Sequence, residues 1–362
     1  MQITLPTLLF VSLTGLVLAA AAPQKSGKPD KDGTLVAGEL GEELDAAVSI
    51  AAQGEAWGAV LVAKDGEVLL AKGYGKADYA DVDCTPNTLF ELASASKQFA
   101  AAAILVLEQK RKLKIDDPLT EFFKDVPDDK AEITLRQLMT HTSGISRELG
   151  VPYASPLARG EYVRKMLDAP LEAAPGEKHL YANVNYALLA AVIEEVTGDS
   201  FEEVLEELLF EPADMDDTGF IGDRDLIKSG RAANRLSKSG EPSDKTAADW
   251  FWGWGYRGMG GVVTTVWDVH KWDRALRGKK PLKKSSLEQM FEPALDGYAC
   301  GWRVGANKRG TKTAQHAGSV AGFGANILRG LQDDYLIVVL SNDQITAMKI
   351  TAACEGKLFG TR

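Results

Sequence analysis

Apolar and polar residues alternate along this chain in three distinct ways. The first is a block: Phe99 to Leu107 contains no polar residue and turns charged only at Glu108. Alanine and leucine favour helix, and a helix without a polar face belongs in an interior. The second is helical spacing. Glu39 to Ala52, Asn185 to Thr197 and Phe201 to Phe210 carry apolar residues at that period, and Gly198 stands at a C-cap position. The third is the strand-like run. Trp57–Ala63 and Val68–Ala71 flank Lys64-Asp-Gly-Glu67, and Asp-Gly between apolar runs predicts a hairpin. Near the other end, Tyr298–Val304, Thr311–Ala317, Gly322–Leu328 and Tyr335–Leu340 read as strands, followed by a helix over Thr346–Leu358.

A helix and hairpin at the front and strands and a helix at the back predict one antiparallel sheet built from both chain ends. The class is mixed α/β (α+β). The expected α/β lobe takes residues 37–113 and 256–358. The middle, from Ile115 to Trp250, reads as mostly helical and would form an inserted lobe over 114–255. Clefts between lobes are preferred places for ligands.

Composition narrows the partners. The 362 residues are 45% hydrophobic and 25% charged, with a net charge of −10 and a pI near 5.1. That balance argues against nucleic acid or an anionic membrane as the main partner; a small-molecule or peptide substrate is expected, and the oligomeric state stays open. Residues 1–22 have an uncharged apolar run, Leu8 to Leu18, followed by Ala19–Ala22. This reads as a secretory signal peptide, with an uncleaved anchor as its competitor, although no Lys or Arg precedes the run. A secreted or periplasmic protein is expected, and residues 23–36 read as a flexible linker. Three cysteines, Cys84, Cys300 and Cys354, show no metal-binding spacing; one disulfide plus a free thiol is open to them. No cofactor or metal is expected.

Three short motifs carry chemistry. Ser94 and Lys97 form the chain's one Ser-x-x-Lys, where the apolar helix begins, with Ser94 at its N-cap or one turn inside. Residues three apart on a helix face the same way. A serine hydroxyl needs a base to become a nucleophile, and a lysine at the edge of an apolar helix loses its proton more readily through desolvation. Tyr181 and Asn183 come next: a tyrosine beside an ammonium can relay protons, and asparagine offers donors and an acceptor to a substrate amide. The third is His316-Ala-Gly318-Ser319 on an expected edge strand, where a glycine lets a substrate backbone approach and the Ser319 N–H can pair with that of Ser94 as an oxyanion hole. Each motif alone has an ordinary reading: an N-cap serine with a surface lysine, a packed tyrosine, a solvated strand histidine.

In this order and spacing the three motifs resemble the active-site triplet of serine β-lactamases and penicillin-binding proteins, in the branch of class C β-lactamases and their esterase and D-peptidase relatives. Leu138–Gly144, Pro175-Gly176, Tyr186–Gly198, Gly260-Gly261 with Asp268, and His316–Phe323 agree with it, so the resemblance covers about residues 40–345. It implies a β-lactamase/transpeptidase-like fold, with Ser94 as the acylated nucleophile. Lys97 and Tyr181 would share the proton work as a coupled pair, and Asn183 would orient the substrate. The Ser94 and Ser319 N–H groups would hold the oxyanion. His316 stands where β-lactamases and D-Ala-D-Ala carboxypeptidases usually carry lysine, while histidine is common in the family's esterases and peptidases. A histidine with a reference pKa near 6.5 is a weaker carboxylate anchor.

The expected function is therefore an exported serine hydrolase acting through an acyl-enzyme on esters, amides or D-amino-acid peptides. The alternative is a slow penicillin- or peptidoglycan-binding sensor of the same fold. Gly253-x-Gly255-x-x-Gly258 matches a dinucleotide fingerprint by letter but lies among tryptophans with no βαβ unit around it; the aromatic residues Trp250, Trp252, Trp254 and Tyr256 are expected to pack or to line the cleft. His141 and Ser143 read as a structural turn, and His179 and His270 have no assigned role.

Overall fold

The computed structural model describes residues 27–52, 58–77, 82–147, 149–153, 155–223, 225–226, 234–236, 242–246, 252–320, 322–341 and 344–360. The expected signal peptide, the start of the linker, Trp57 and Trp250 lie outside them. The strands are β1 Leu35–Val36, β2 Gly58–Lys64, β3 Glu67–Tyr74, β4 Phe90–Glu91, β5 Gly219–Phe220, β6 Asn234–Leu236, β7 Pro242–Thr246, β8 Val262–Thr264, β9 Arg303–Ala306, β10 Lys312–Val320, β11 Phe323–Gly330 and β12 Tyr335–Ser341. The helices are α1 Gly38–Ala52, α2 Lys97–Gln109, α3 Leu135–Met139, α4 Arg159–Asp168, α5 Asn183–Thr197, α6 Phe201–Leu205, α7 Val266–Arg277, α8 Lys284–Met290 and α9 Gln344–Phe359.

The main sheet is antiparallel, in the order β1-β3-β2-β12-β11-β10-β9. The two chain ends meet where β2 pairs with β12, Leu61 opposite Val338, as the patterning predicts. The hairpin turns at Asp65-Gly66, both with positive φ, which is the conformation Asp-Gly favours. Alternate residues of the sheet serve two cores. Val60, Val62, Ile337 and Val339 pack with Leu44 and Val48 of α1 and Ile350 of α9. Ala59, Leu61, Val338 and Leu340 belong to the larger core, which contains the apolar block of α2. Both faces are covered, so these strands read as continuous apolar runs.

Several expectations are corrected. The linker's end is not free: Leu35 and Val36 form β1 against β3. The middle of the chain is less helical than its composition suggests. Among the described residues α3 to α6 are joined by turns, and β6 and β7 form a strand pair there. The expected helix 201–210 changes to a π-turn at Glu206. Cys84, Cys300 and Cys354 are all buried, and Cys300 and Cys354 are free thiols.

Candidate active site

Ser94 stands in a single 3-10 turn, Ala93–Ser96, that runs directly into α2. Lys97 is thus the first residue of the α-helix, and Ser94 precedes the helix rather than opening it. Ala93 has φ +47°, a costly conformation for a residue with a Cβ, and strand β10 backs the turn. A Cβ on Gly318 would lie 2.0 Å from the Leu92 carbonyl oxygen. The expectation that Gly318 makes room for a substrate backbone is therefore replaced: the missing side chain lets the turn carrying Ser94 dock on the strand.

Lys97 is fully buried. Its Nζ lies 3.1 Å from Ser94 Oγ, 2.9 Å from Asn183 Oδ1 and 2.8 Å from the Met259 carbonyl. Two of these oxygens can only accept. A neutral amine has two hydrogens, both taken by those carbonyls, and its lone pair then faces the one partner with a hydrogen of its own, the Ser94 hydroxyl. Burial pulls the Lys97 pKa below the ordinary lysine value, and the neighbouring Tyr181 acts against that shift. The Tyr181 ring centroid is 5.0 Å from Nζ. Tyr181 belongs to an extended segment that ends at Ala182, and Asn183 is the first residue of α5, which aims both at Lys97.

Behind Tyr181 stands His141, which its sequence places in a structural turn. Its ring centroid is 4.2 Å from that of Tyr181. Its Nδ1 accepts the Ala182 N–H at 3.3 Å and lies 3.1 Å from Asn185 Nδ2, while Ser143 Oγ donates to Asn185 Oδ1 at 2.7 Å. Burial, reinforced by the Lys97 charge, holds His141 well below the usual histidine range. A neutral imidazole thus supports the motif; the turn His141-Thr-Ser-Gly144 was its one visible signal.

His316 is buried as well. Its Nδ1 lies 2.8 Å from the Ala317 carbonyl and its Nε2 2.8 Å from the Tyr298 hydroxyl. The carbonyl can only accept, so the ring proton is on Nδ1 and Nε2 accepts from Tyr298. Burial, with the Lys97 charge second, pulls its pKa down to about 3. The expected edge position holds for half of β10: β9 pairs only with residues 312–315, and from His316 onward no further strand flanks that side among the described residues.

Ser94, Tyr181, His316 and Ser319 open onto one cleft of about 420 Å³, joined by Arg303 and Met348. Arg303, which no motif marked, has its guanidinium 5.5 Å from the Tyr298 ring and no carboxylate partner among the described residues. The sequence-predicted residues are thus brought together, with Gly318 in the supporting layer. The dinucleotide-like glycines are packing positions: a Cβ on Gly255 would meet the Tyr162 ring at 2.2 Å and one on Gly258 the Tyr186 carbonyl at 2.1 Å. Trp252 stacks on Tyr256, and Trp254 donates to Glu194 at 3.1 Å; neither lines the cleft.

The family model described as Beta-lactamase matches residues 45–353. The chain is 27% identical over 329 residues to a penicillin-binding protein of Bacillus subtilis strain 168, covering 84% of this chain and 72% of that one. Among solved structures, an octameric penicillin-binding protein homologue from Pyrococcus abyssi is 26% identical with a TM-score of 0.77, over 90% of this chain and 78% of that one. The D-amino acid amidase of Ochrobactrum anthropi SV3 shares the fold, with a TM-score of 0.75 at 22% identity, over 88% of this chain and all of that one (100%).

Proposed function

Since the chain belongs to the beta-lactamase family of serine acyl-transferases and hydrolases, we propose that it is a serine hydrolase that forms an acyl-enzyme on Ser94 from ester, amide or D-amino-acid peptide substrates. The observation that carries this reading is the Lys97 environment, two carbonyls for two amine hydrogens and a lone pair on the Ser94 hydroxyl.

In the first step Lys97 takes the Ser94 proton as Oγ bonds to the substrate carbonyl carbon, and the carbonyl π pair moves onto oxygen. The N–H groups of Ser94 and Ser319 hold that oxyanion; losing one such donor typically costs about 10²–10³ in rate. The new ammonium is held by Asn183 Oδ1 and the Met259 carbonyl. It returns its proton to the departing alcohol or amine, directly or through the Tyr181 hydroxyl, as the tetrahedral carbon collapses to the ester. Water repeats the sequence to release the acid and regenerate Ser94.

Substrate choice follows from charge. His316 is held neutral by Tyr298 and Ala317, so it gives a substrate carboxylate no cation. Arg303 does, and Met348, 48% exposed, offers an apolar wall. A D-amino-acid peptide with a free carboxylate fits that pair. We also take the N-terminal apolar run as an export signal, testable by N-terminal sequencing of protein recovered outside the cytoplasm.

A fluorophosphonate probe tests the chemistry. It should label the protein and fail to label Ser94→Ala; persistent labelling of that variant removes the assignment. An adduct with several ester and amide substrates that persists for hours would turn the reading to a slow binding or sensor protein.

A further inference from the structure

A second cavity, of about 540 Å³, shares no lining residue with the catalytic cleft. It is bounded by the end of α7, by α8 and by the ends of β10 and β11. Lys312 opens β10 and Ser319 lies close to its other end, so the two cavities are roughly 20 Å apart along the strand. The volume suits a small molecule.

Its floor holds an unbalanced charge network. Arg329 Nε is 2.9 Å from Asp273 Oδ1, and Arg277 Nε is 2.8 Å from Asp273 Oδ2 and 3.1 Å from Asp334 Oδ1. Arg274 bonds Asp334 Oδ2 at 2.9 Å and Asp273 Oδ2 at 2.6 Å. Three guanidiniums thus share two carboxylates, a net charge of +1. Asp273 and Arg329 are almost entirely buried, and Arg329 Nη1 is a buried donor with no hydrogen-bond partner among the described residues. Buried charge is costly when left unpaired.

The rim adds to the excess. Lys279 and Lys312 line the cavity and have no carboxylate partner among the described residues. Lys284 is 3.7 Å from Glu288, and Glu292 is the one further carboxylate on the lining. The remaining wall is apolar, with Leu287, Leu331 and Phe291, whose ring lies 5.1 Å from the Arg329 guanidinium.

We infer that this cavity binds a small carboxylate with a short apolar body: the head offsets the excess positive charge of the arginine network and of Lys279 and Lys312, and the body covers Leu287 and Phe291. The site is independent of turnover, so its test uses the Ser94→Ala protein and does not depend on the reading of the cleft. Octanoate is titrated by calorimetry, with octanol as its uncharged twin. Octanoate is expected to bind about tenfold or more tighter than octanol, at a site retained in Arg303→Gln and therefore separate from any binding in the cleft. The exposed pair Lys279→Glu with Lys312→Glu should weaken octanoate about tenfold or more, and Arg303→Gln in the cleft should leave it unchanged. The inference is overturned by absence of octanoate binding up to about 10 mM, by equal binding of octanol, by an unchanged affinity in the double variant, or by loss of binding in Arg303→Gln.

Discussion

The Tyr298 hydroxyl donates to His316 Nε2 at 2.8 Å, in a buried contact between two residues that flank β9. With Nδ1 committed to the Ala317 carbonyl, a second proton on Nε2 would require the Tyr298 hydroxyl to turn from donor to acceptor and would place a charge in a buried ring. The motif position at which the resemblance to β-lactamases implies a lysine is therefore neutral here, and Arg303, on the neighbouring strand, brings positive charge to the cleft.

The pH dependence of acylation follows from Lys97. Its amine must be unprotonated to accept the Ser94 proton, so the rate rises as pH rises through a pKa that burial has set below the ordinary lysine value. His316 contributes no inflection near 6.5. The measurement is kcat/KM for a neutral ester across pH 4–10; an added step near 6.5 that disappears in His316→Gln contradicts this account.

Acid should unfold the protein in a defined window. His316 has a folded-state pKa of about 3 against a reference near 6.5, so the unfolded chain binds the proton more readily. Stability from this residue is fully present above about 6.5 and is lost as pH falls toward about 3, on the order of a few kcal/mol. His141 acts in the same direction. Denaturant midpoints taken from pH 7 to pH 4 should fall, and His316→Gln should flatten that slope.

Lys97→Arg puts a permanent cation in place of the titrating amine and removes the base, because a guanidinium does not deprotonate in proteins. A fall of about 10²–10⁴ in acylation rate is expected, read by single-turnover labelling with a fluorophosphonate. A rate within about threefold of the parent would exclude Lys97 as the proton acceptor.

Arg303→Gln separates anchoring from chemistry. For peptide substrates with a free carboxylate KM should rise roughly tenfold or more, while p-nitrophenyl esters without an acidic group keep theirs; one charged hydrogen bond lost is about 1.5–3 kcal/mol. Equal effects on both substrate types would remove the anchor.

Gly318→Ala introduces a Cβ 2.0 Å from the Leu92 carbonyl. The strand and the Ser94 turn must separate, at roughly 1–3 kcal/mol. Both the melting temperature and the acylation rate should drop, whereas Gly305→Ala, on the neighbouring strand β9 with open space around it, should leave both near parent values.

The chain's local patterns determined a good deal by themselves. The apolar block of α2, the Asp-Gly hairpin and the four late strands specify a sheet drawn from both chain ends, because periods of 2 and 3.6 are written in neighbouring residues. Ser94 and Lys97 are three apart, and that spacing alone puts them together. What only the tertiary structure decided depends on atoms and contacts that side-chain spelling does not reveal. The Met259 acceptor for Lys97 is a backbone carbonyl, present at every residue and selected by a contact spanning 162 positions. The neutrality of His316 needs Tyr298 against its ring, Gly318 is required by a carbonyl of another segment, and Arg303 became part of the cleft only when β9 paired beside β10. The turn at Gly144 was legible in its letters, but the reason it needs glycine was not: its φ is +78° and the Ala173 carbonyl lies 2.1 Å from where a Cβ would stand, a contact between segments that only the folded chain brings together.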